Sequence, residues 1–269
     1  MTTTQPYIGI DDLLVSLDDG VLSLTLNRPD SLNSLTAAML GTIADLVERA
    51  ATDPAVRVLR LGGAGRGFSS GAGIGADDAA NTNASNEFDD TLAAANRAVR
   101  AIVALPKPAV SVVHGPAAGV GVSLAIAADV ILASEKSYFL LAFTKIGLMP
   151  DGGASALVAA SIGRTRAMRM ALLAERLSAA EALTAGLVSA VHPAEDLQAQ
   201  ADAVIETLKS GPAIALRRTK AAINAATLTE LEAALERETE GQLALLSSQD
   251  FREGVRAFQQ RRAAAFTDD

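Results

Sequence analysis

The sequence predicts an α/β fold, with strand–helix units up to about residue 150 and an almost wholly helical last third. Three observations carry this. Short β-branched or apolar runs alternate with segments of helical spacing, the pattern of βαβ crossovers and a largely parallel core. Glycine-rich turns follow two of the strands, at Gly62–Gly67 and Gly115–Gly119. From Ser155 onward only one brief extended piece, Leu187–Val191, interrupts the helical pattern. Residues 1–195 form the expected β/α core and 196–269 a helical appendage, with no flexible linker between them.

Leu13–Leu17 and Val21–Leu26 flank Asp18-Asp19-Gly20, a hairpin signal. Asn27-Arg28-Pro29 breaks the second strand, and Thr36 caps a helix to about Ala51. Val56–Leu61 is a short apolar strand. Residues 75–86 are small and polar, a segment expected to be mobile. A helical pattern covers about Glu87–Ala104, and Lys107-Pro108 opens the strand Ala109–Val113. Helix Gly119–Ala128, strand Val130–Ala133 and a short strand around Tyr138–Leu141 follow.

The 269 residues are 49% hydrophobic and 20% charged, a globular composition. A net charge of −8 argues against nucleic acid as the main partner. No cysteine is present, which excludes disulfides, thiolate metal sites and a Cys nucleophile. Two histidines, His114 and His192, cannot make a three-His zinc site, and no metal is expected. His114 reads as the end of a strand and His192, before Pro193, as an exposed loop residue. The N-terminal Met-Thr-Thr-Thr-Gln-Pro-Tyr has no basic and apolar leader pattern, and no apolar run is long enough to span a membrane. A cytoplasmic protein without a membrane partner is the expectation.

The chemistry concentrates at 110–129 and 147–153. A β-branched run, Val110–Val113, ends in a Gly/Ala turn, and an apolar helix begins at once. Glycines there let a ligand approach the backbone, and the first N–H groups of the helix carry partial positive charge without internal partners. That suits an oxygen that becomes negative. The Gly62–Gly73 stretch lacks the Gly-Lys-Ser/Thr ending of a phosphate loop. No Ser-His-Asp pattern surrounds Ser69 or Ser70, so they read as loop-lining residues. Taken alone, Asp151 reads as the cap of a helix starting near Gly152 or Gly153. Asp77, Asp78, Glu87 and Asp89 read as solvated, and Arg261-Arg262 as either a solvated helix end or a phosphate contact.

Several pieces together resemble the crotonase (enoyl-CoA hydratase/isomerase) family along nearly the whole chain. They are Asn27-Arg28-Pro29 with Leu32-Asn33-Ser34-Leu35; Gly67-Phe68-Ser69-Ser70-Gly71-Ala72; His114-Gly115-Pro116-Ala117-Ala118-Gly119; Asp129; Gly147-Leu148-Met149-Pro150-Asp151-Gly152-Gly153; and Phe251–Phe258. The resemblance implies a crotonase-like (ClpP/crotonase) spiral of ββα units. Its C-terminal helices would be a trimerisation region, giving a homotrimer or a dimer of trimers. It implies an acyl-CoA thioester as substrate, with coenzyme A part of that substrate and no separate cofactor. The backbone N–H groups of Ala72 and Val120 would form an oxyanion hole. Ser31, Leu32, Ser70, Gly71, Gly119, Ser123, Phe143 and Phe258 would line the substrate site.

Two departures narrow the reaction. The glutamates with which hydratases of this family handle water fall on Ser123 and Phe143, and neither side chain can act as a carboxylate. Gly73 stands where many relatives have Asp. One acid remains in the matching segment Gly147–Gly153, Asp151, and the stretch Ala142–Asp151 is similar to the ring-1,2-epoxyphenylacetyl-CoA isomerase subgroup. Double-bond isomerisation with Asp151 as acid/base is the expectation. The alternatives are a non-catalytic acyl-CoA-binding protein and a 2-enoyl-CoA hydratase using a non-standard acid from residues 77–90.

Overall fold

The computed structural model describes residues 6–73 and 84–267, with 84–87 as backbone alone. The segment expected to be mobile, with Asp77 and Asp78, lies outside the described residues, as does the side chain of Glu87. Asp89 is exposed, as its charge leads one to expect.

The chain opens with a hairpin, β1 (Leu13–Asp18) and β2 (Val21–Leu26). Asp19 and Gly20 both take positive φ (43° and 81°), the geometry whose twist matches the two strands. Leu22, Leu24 and Leu26 alternate into the core, as a half-buried strand requires. β3 (Val58–Gly63), β4 (Ala109–Val113), β6 (Val130–Ser134) and β9 (Ala190–His192) complete a six-stranded sheet in the order β1-β2-β3-β4-β6-β9. All pairs after the hairpin are parallel, in the registers Val21↔Val58, Leu59↔Ala109, Val110↔Val130 and Leu132↔Ala190. A small second sheet joins β5 (Ala117–Ala118), β7 (Tyr138–Leu140) and β8 (Leu177–Ser178).

Helices make the crossovers. α1 (Ala37–Thr52) links β2 to β3, and Thr36 caps it by accepting the Met39 N–H at 3.2 Å. Its buried stripe, Met39, Leu40, Ile43, Ala44, Leu46, Val47 and Ala50, follows helical spacing. α2 (Ala84–Ala104) links β3 to β4 and packs along α1. α3 (Val120–Ile126) lies between β4 and β6 and is buried at every position. Central β4 is buried throughout because helices cover both of its faces. The second covering layer is α7 (Leu197–Ser210), whose Leu197, Ala201 and Ile205 meet Val58, Val110, Val112 and Leu132.

The rest of the chain is α4 (Ala154–Ile162), α5 (Arg164–Leu173), α6 (Ala179–Ala185), α8 (Ala213–Thr227), α9 (Leu231–Leu246) and α10 (Gln249–Gln259). Asp129 ties this region to the sheet. Its Oδ2 accepts the Ala109 N–H at 2.7 Å and lies 3.0 Å from Lys220 Nζ on α8. No described helix is long and apolar enough to cross a membrane.

Three readings need correction. His192 is no exposed loop residue; it is the half-buried last residue of β9, paired with Ser134 of β6. β3 starts two residues later than its apolar run and continues through Gly62 and Gly63, because the β2 edge keeps pairing with them. β8 escapes the sequence pattern altogether, since two residues carry no periodicity and exist as a strand only through pairing with β7.

Candidate active site

Two loops meet at one end of the parallel strands. The first follows β3 and is organised by Asn33, a fully buried residue at positive φ (56°). Its amide donates to the carbonyls of Ala64 (2.9 Å) and Gly67 (2.8 Å), and its Oδ1 accepts the Arg28 N–H (2.8 Å). Ser69 is also fully buried. Its hydroxyl donates to Asn33 O (2.9 Å) and accepts the Gly71 N–H (3.1 Å). Ser69 is therefore a brace for the loop, not a nucleophile. Leu35 pairs with the loop through Gly71 O (2.8 Å) and the Gly73 N–H (3.3 Å), which turns the Ala72 N–H to the other side. Gly73 joins this pairing through its N–H.

The second loop runs from β4 into α3. Ala118 N–H donates to Ser69 O and Gly119 N–H to Leu140 O, both at 2.9 Å. Gly119 has φ 54° and ψ −135°, a conformation open to glycine and strained for other residues. The loops touch at glycine: a Cβ on Gly71 would lie 2.8 Å from Ala118 O and 3.3 Å from Gly119 Cα. The next residues are Ala72 on one side and Val120, first in α3, on the other. Neither N–H has an acceptor among the described residues. Phe143 opens a short 3-10 turn, Phe143–Ile146; its ring tip would be 3.8 Å from a Gly119 Cβ.

Asp151 stands beside this junction. Gly152 packs against α3 so closely that a Cβ there would lie 3.1 Å from both Val120 Cγ2 and Ser123 Cβ. The Ser123 hydroxyl donates to the Asp151 carbonyl at 2.8 Å. The Asp151 carboxyl receives one hydrogen bond, from Gln242 Nε2 to Oδ2 at 2.8 Å. Its Oδ1 is shut off from solvent and has no partner among the described residues. Asp151 as a residue is half-buried, but its carboxyl lies in the interior, and desolvation is the largest influence on its ionisation. Burial pushes it up to about 7; the Gln242 hydrogen bond pulls it down, and the nearby Glu238 charge adds to the rise.

The helix-cap reading of Asp151 is overturned. The N-terminus of α4 is capped by Glu238 of α9, whose Oε2 accepts the Gly153 N–H (2.6 Å) and Oε1 the Ser155 N–H (2.8 Å). A carboxylate on those N–H groups satisfies donors that the helix leaves open. Glu238 itself is raised by burial, against the pull of Ser155 and Gly153.

The structure brings Ala72, Gly71, Gly119, Val120, Ser123 and Asp151 together, with Phe143 against Gly119. Ser31, Leu32 and Ser70 border the first loop: Ser70 N–H donates to Leu32 O and its hydroxyl to Ser31 O, at 2.8 and 2.9 Å. Phe258 lies in the last turn of α10, 57% exposed. Arg262 is engaged in an ion pair with Glu253. Glu238 and Gln242 are the site residues that the sequence reading missed. Their signal was positional: they continue the stripe Leu231, Ala234, Leu235 at helical spacing, two polar side chains on an apolar face.

Comparison with known proteins identifies the family. A family model described as enoyl-CoA hydratase/isomerase matches residues 16–269. The crystal structure of an enoyl-CoA hydratase from Mycobacterium avium subsp. paratuberculosis K-10 is 63% identical, with a TM-score of 0.90 over 97% of this chain and 100% of that one. The 1,2-epoxyphenylacetyl-CoA isomerase of Escherichia coli K12 is 36% identical over 256 residues, 95% of this chain and 98% of that protein. A probable enoyl-CoA hydratase of Rhodobacter capsulatus is 37% identical over 255 residues, 93% and 96% of the two chains.

Proposed function

The chain belongs to the enoyl-CoA hydratase/isomerase family and has its crotonase-like fold, and within that family we propose that it moves a double bond in an acyl-CoA thioester, with Asp151 as the proton shuttle. One observation carries this reading: the buried Asp151 carboxyl, raised to about 7 and with one oxygen unpartnered among the described residues, next to two backbone donors that have no acceptor among them. A group that titrates near neutrality serves as base and then as acid.

The thioester oxygen sits between the N–H groups of Ala72 and Val120. The Asp151 carboxylate removes a proton from the α-carbon of a 3-enoyl thioester. The C–H electron pair forms a double bond between the carbonyl carbon and Cα, and the carbonyl π pair moves onto the thioester oxygen as the charge of a dienolate. The β,γ double bond stays in place, and its carbons give up their electrons to the Cα–Cβ double bond only when the γ-carbon takes up the proton. Two preorganised donors stabilise that charge, each by about 3–4 kcal/mol. The carboxylic acid of Asp151 returns the proton to the γ-carbon, leaving the conjugated 2-enoyl thioester. Ser123 is held on the Asp151 carbonyl and acts through the position of the loop.

A hydratase reading has in its favour that the 63% identical structure is described as an enoyl-CoA hydratase and the Rhodobacter capsulatus relative as a probable one. Against it stand Ser123 and Phe143 at the two positions where the resemblance places water-handling glutamates. The Asp151→Asn protein tests the proposal: it should bind CoA esters and fail to shift the double bond.

A further inference from the structure

We propose that Gln242 is the positioning residue of the site, holding the Asp151 carboxyl in one orientation and leaving Oδ1 as the oxygen that handles the proton. The inference rests on the reading of Asp151 as acid/base and adds to it a second residue, on a helix ninety residues further along the chain.

The geometry around the amide is determinate. Gln242 Oε1 accepts the Met149 N–H at 3.2 Å, and Nε2 donates to Asp151 Oδ2 at 2.8 Å. A backbone N–H can only donate, so it fixes which end of the amide is oxygen and turns the NH2 group toward Asp151. Gln242 thus bridges two points of the segment Met149-Pro150-Asp151 and sets the carboxyl plane relative to the backbone. On the same side of α9, Gly241 lies against the Met149 side chain: a Cβ there would lie 2.3 Å from Met149 Sδ. Gln242 is almost fully buried, so its amide has no water to turn to.

The hydrogen bond also opposes the forces that keep Asp151 neutral. Glu238, one turn earlier on α9, is the charged group that acts on Asp151, and its charge works in the same direction as burial. Among the described residues no other charged group acts on Asp151, and Asp89 and Asp90 on α2 are exposed. α3 and α4 contain no ionisable residue, and on α2 Arg97 and Arg100 are engaged by Glu48 and Glu232. Arg237, beside Glu238, acts on Glu238. Gln242 is accordingly what holds the carboxyl near neutrality.

Gln242→Met keeps the length of the side chain and removes the amide. With 13C-labelled aspartate, the Asp151 carboxyl should titrate near 7 in the parent protein and about one unit or more higher in this variant. α-Proton exchange of a CoA ester at pH 7 should fall at least about five-fold, with the pH profile displaced upward by the same amount and KM little changed. Gln242→Asn, too short to bridge, should behave like Gln242→Met. In the unsubstituted protein the Gln242 side-chain 15N resonance should titrate together with the Asp151 carboxyl, which tests the contact whether or not the variants fold. Unaltered midpoint and profile in a folded Gln242→Met protein, or no co-titration, would overturn the proposal. If the midpoints move as expected while exchange ignores both Gln242 and Asp151, the contact stands and the double-bond reading falls. If exchange depends on Asp151 but not on Gln242, the present inference alone falls.

Discussion

Gly71 and Gly119 bring two chain segments into backbone contact, and the residue after each carries an N–H with no acceptor among the described residues. A Cβ on Gly119 would lie 3.6 Å from Gly71 Cα, and one on Gly71 only 2.8 Å from Ala118 O. Gly71 also has φ +90°, where a side chain is strained. Gly71→Ala should therefore push the loops apart. We expect a loss of about 1–3 kcal/mol in unfolding free energy and at least a ten-fold loss of turnover, as the Ala72 donor leaves its place. Gly62→Ala is the control, since nothing lies within 4 Å of a Cβ there. A Gly71→Ala protein as active as Gly62→Ala would show that the contact does not set the donor geometry.

Glu238 caps α4 across the fold, through two backbone N–H groups. Glu238→Ala leaves both donors buried without an acceptor. The expected cost is roughly 2–4 kcal/mol, read as a lowered denaturation midpoint. Because the like charge beside Asp151 also disappears, the Asp151 titration should move down in the same variant. A stability change within about 0.5 kcal/mol would mean that solvent replaces the cap.

What the sequence made legible was local. Asp19-Gly20 shows as a turn because both residues tolerate positive φ, and Thr36 shows as a cap because its hydroxyl serves the nearest N–H groups. Gly119 before an apolar helix marked the donor at Val120 for the same reason. What stayed hidden depends on partners far along the chain. Asp151 preceding Gly152-Gly153 has every local feature of a cap, and only the arrival of Glu238 from α9 shows that the role is taken. Gln242 looks like any helical glutamine until Met149 and Asp151 are placed against it. β8 is a two-residue strand that exists only through its pairing, and three-residue β9 lies at the end of the extended piece Leu187–Val191 and beyond it, where it pairs with β6.

Assembly would cover exposed apolar side chains. Leu172 and Leu173 on α5 are 62% and 61% exposed, and Ile214 on α8 is 70% exposed. Burying such residues between copies removes apolar surface from water. We expect a trimer or a dimer of trimers, as the resemblance implies, in sedimentation at micromolar concentration. A stable monomer there would count against it.

Hydration of a short 2-enoyl-CoA should be slow. Phe143 is buried and apolar, and the Ser123 hydroxyl is committed to the Asp151 carbonyl, so neither activates water. Loss of the conjugated thioester absorbance, with the product identified by mass, measures this. Turnover on the order of 10 per second, typical of an enzyme on its own substrate, would favour the hydratase reading.

Asp151 links activity to pH and to stability in opposite senses. Its carboxyl is raised to about 7 in the fold, against about 4 in an unfolded chain. Proton abstraction needs the ionised form, so α-proton exchange should rise with pH and level off above about 7. Stability runs the other way. Below about pH 4 both states are protonated and the burial of Asp151 costs nothing. Between about 4 and 7 the unfolded chain ionises while the folded one keeps its proton, so folding weakens as pH rises. Asn at 151 still accepts from Gln242 and carries no charge. Asp151→Asn should therefore gain stability relative to the parent as pH rises from 4 to 8, by on the order of 2–4 kcal/mol. It should lose isomerisation of a 3-enoyl-CoA and α-proton exchange by about 10²–10⁴-fold, with CoA-ester binding kept. Full exchange activity in the Asn protein would remove Asp151 from the chemistry. Binding without exchange or isomerisation in the unsubstituted protein, across varied acyl groups, would instead make it a non-catalytic acyl-CoA binder.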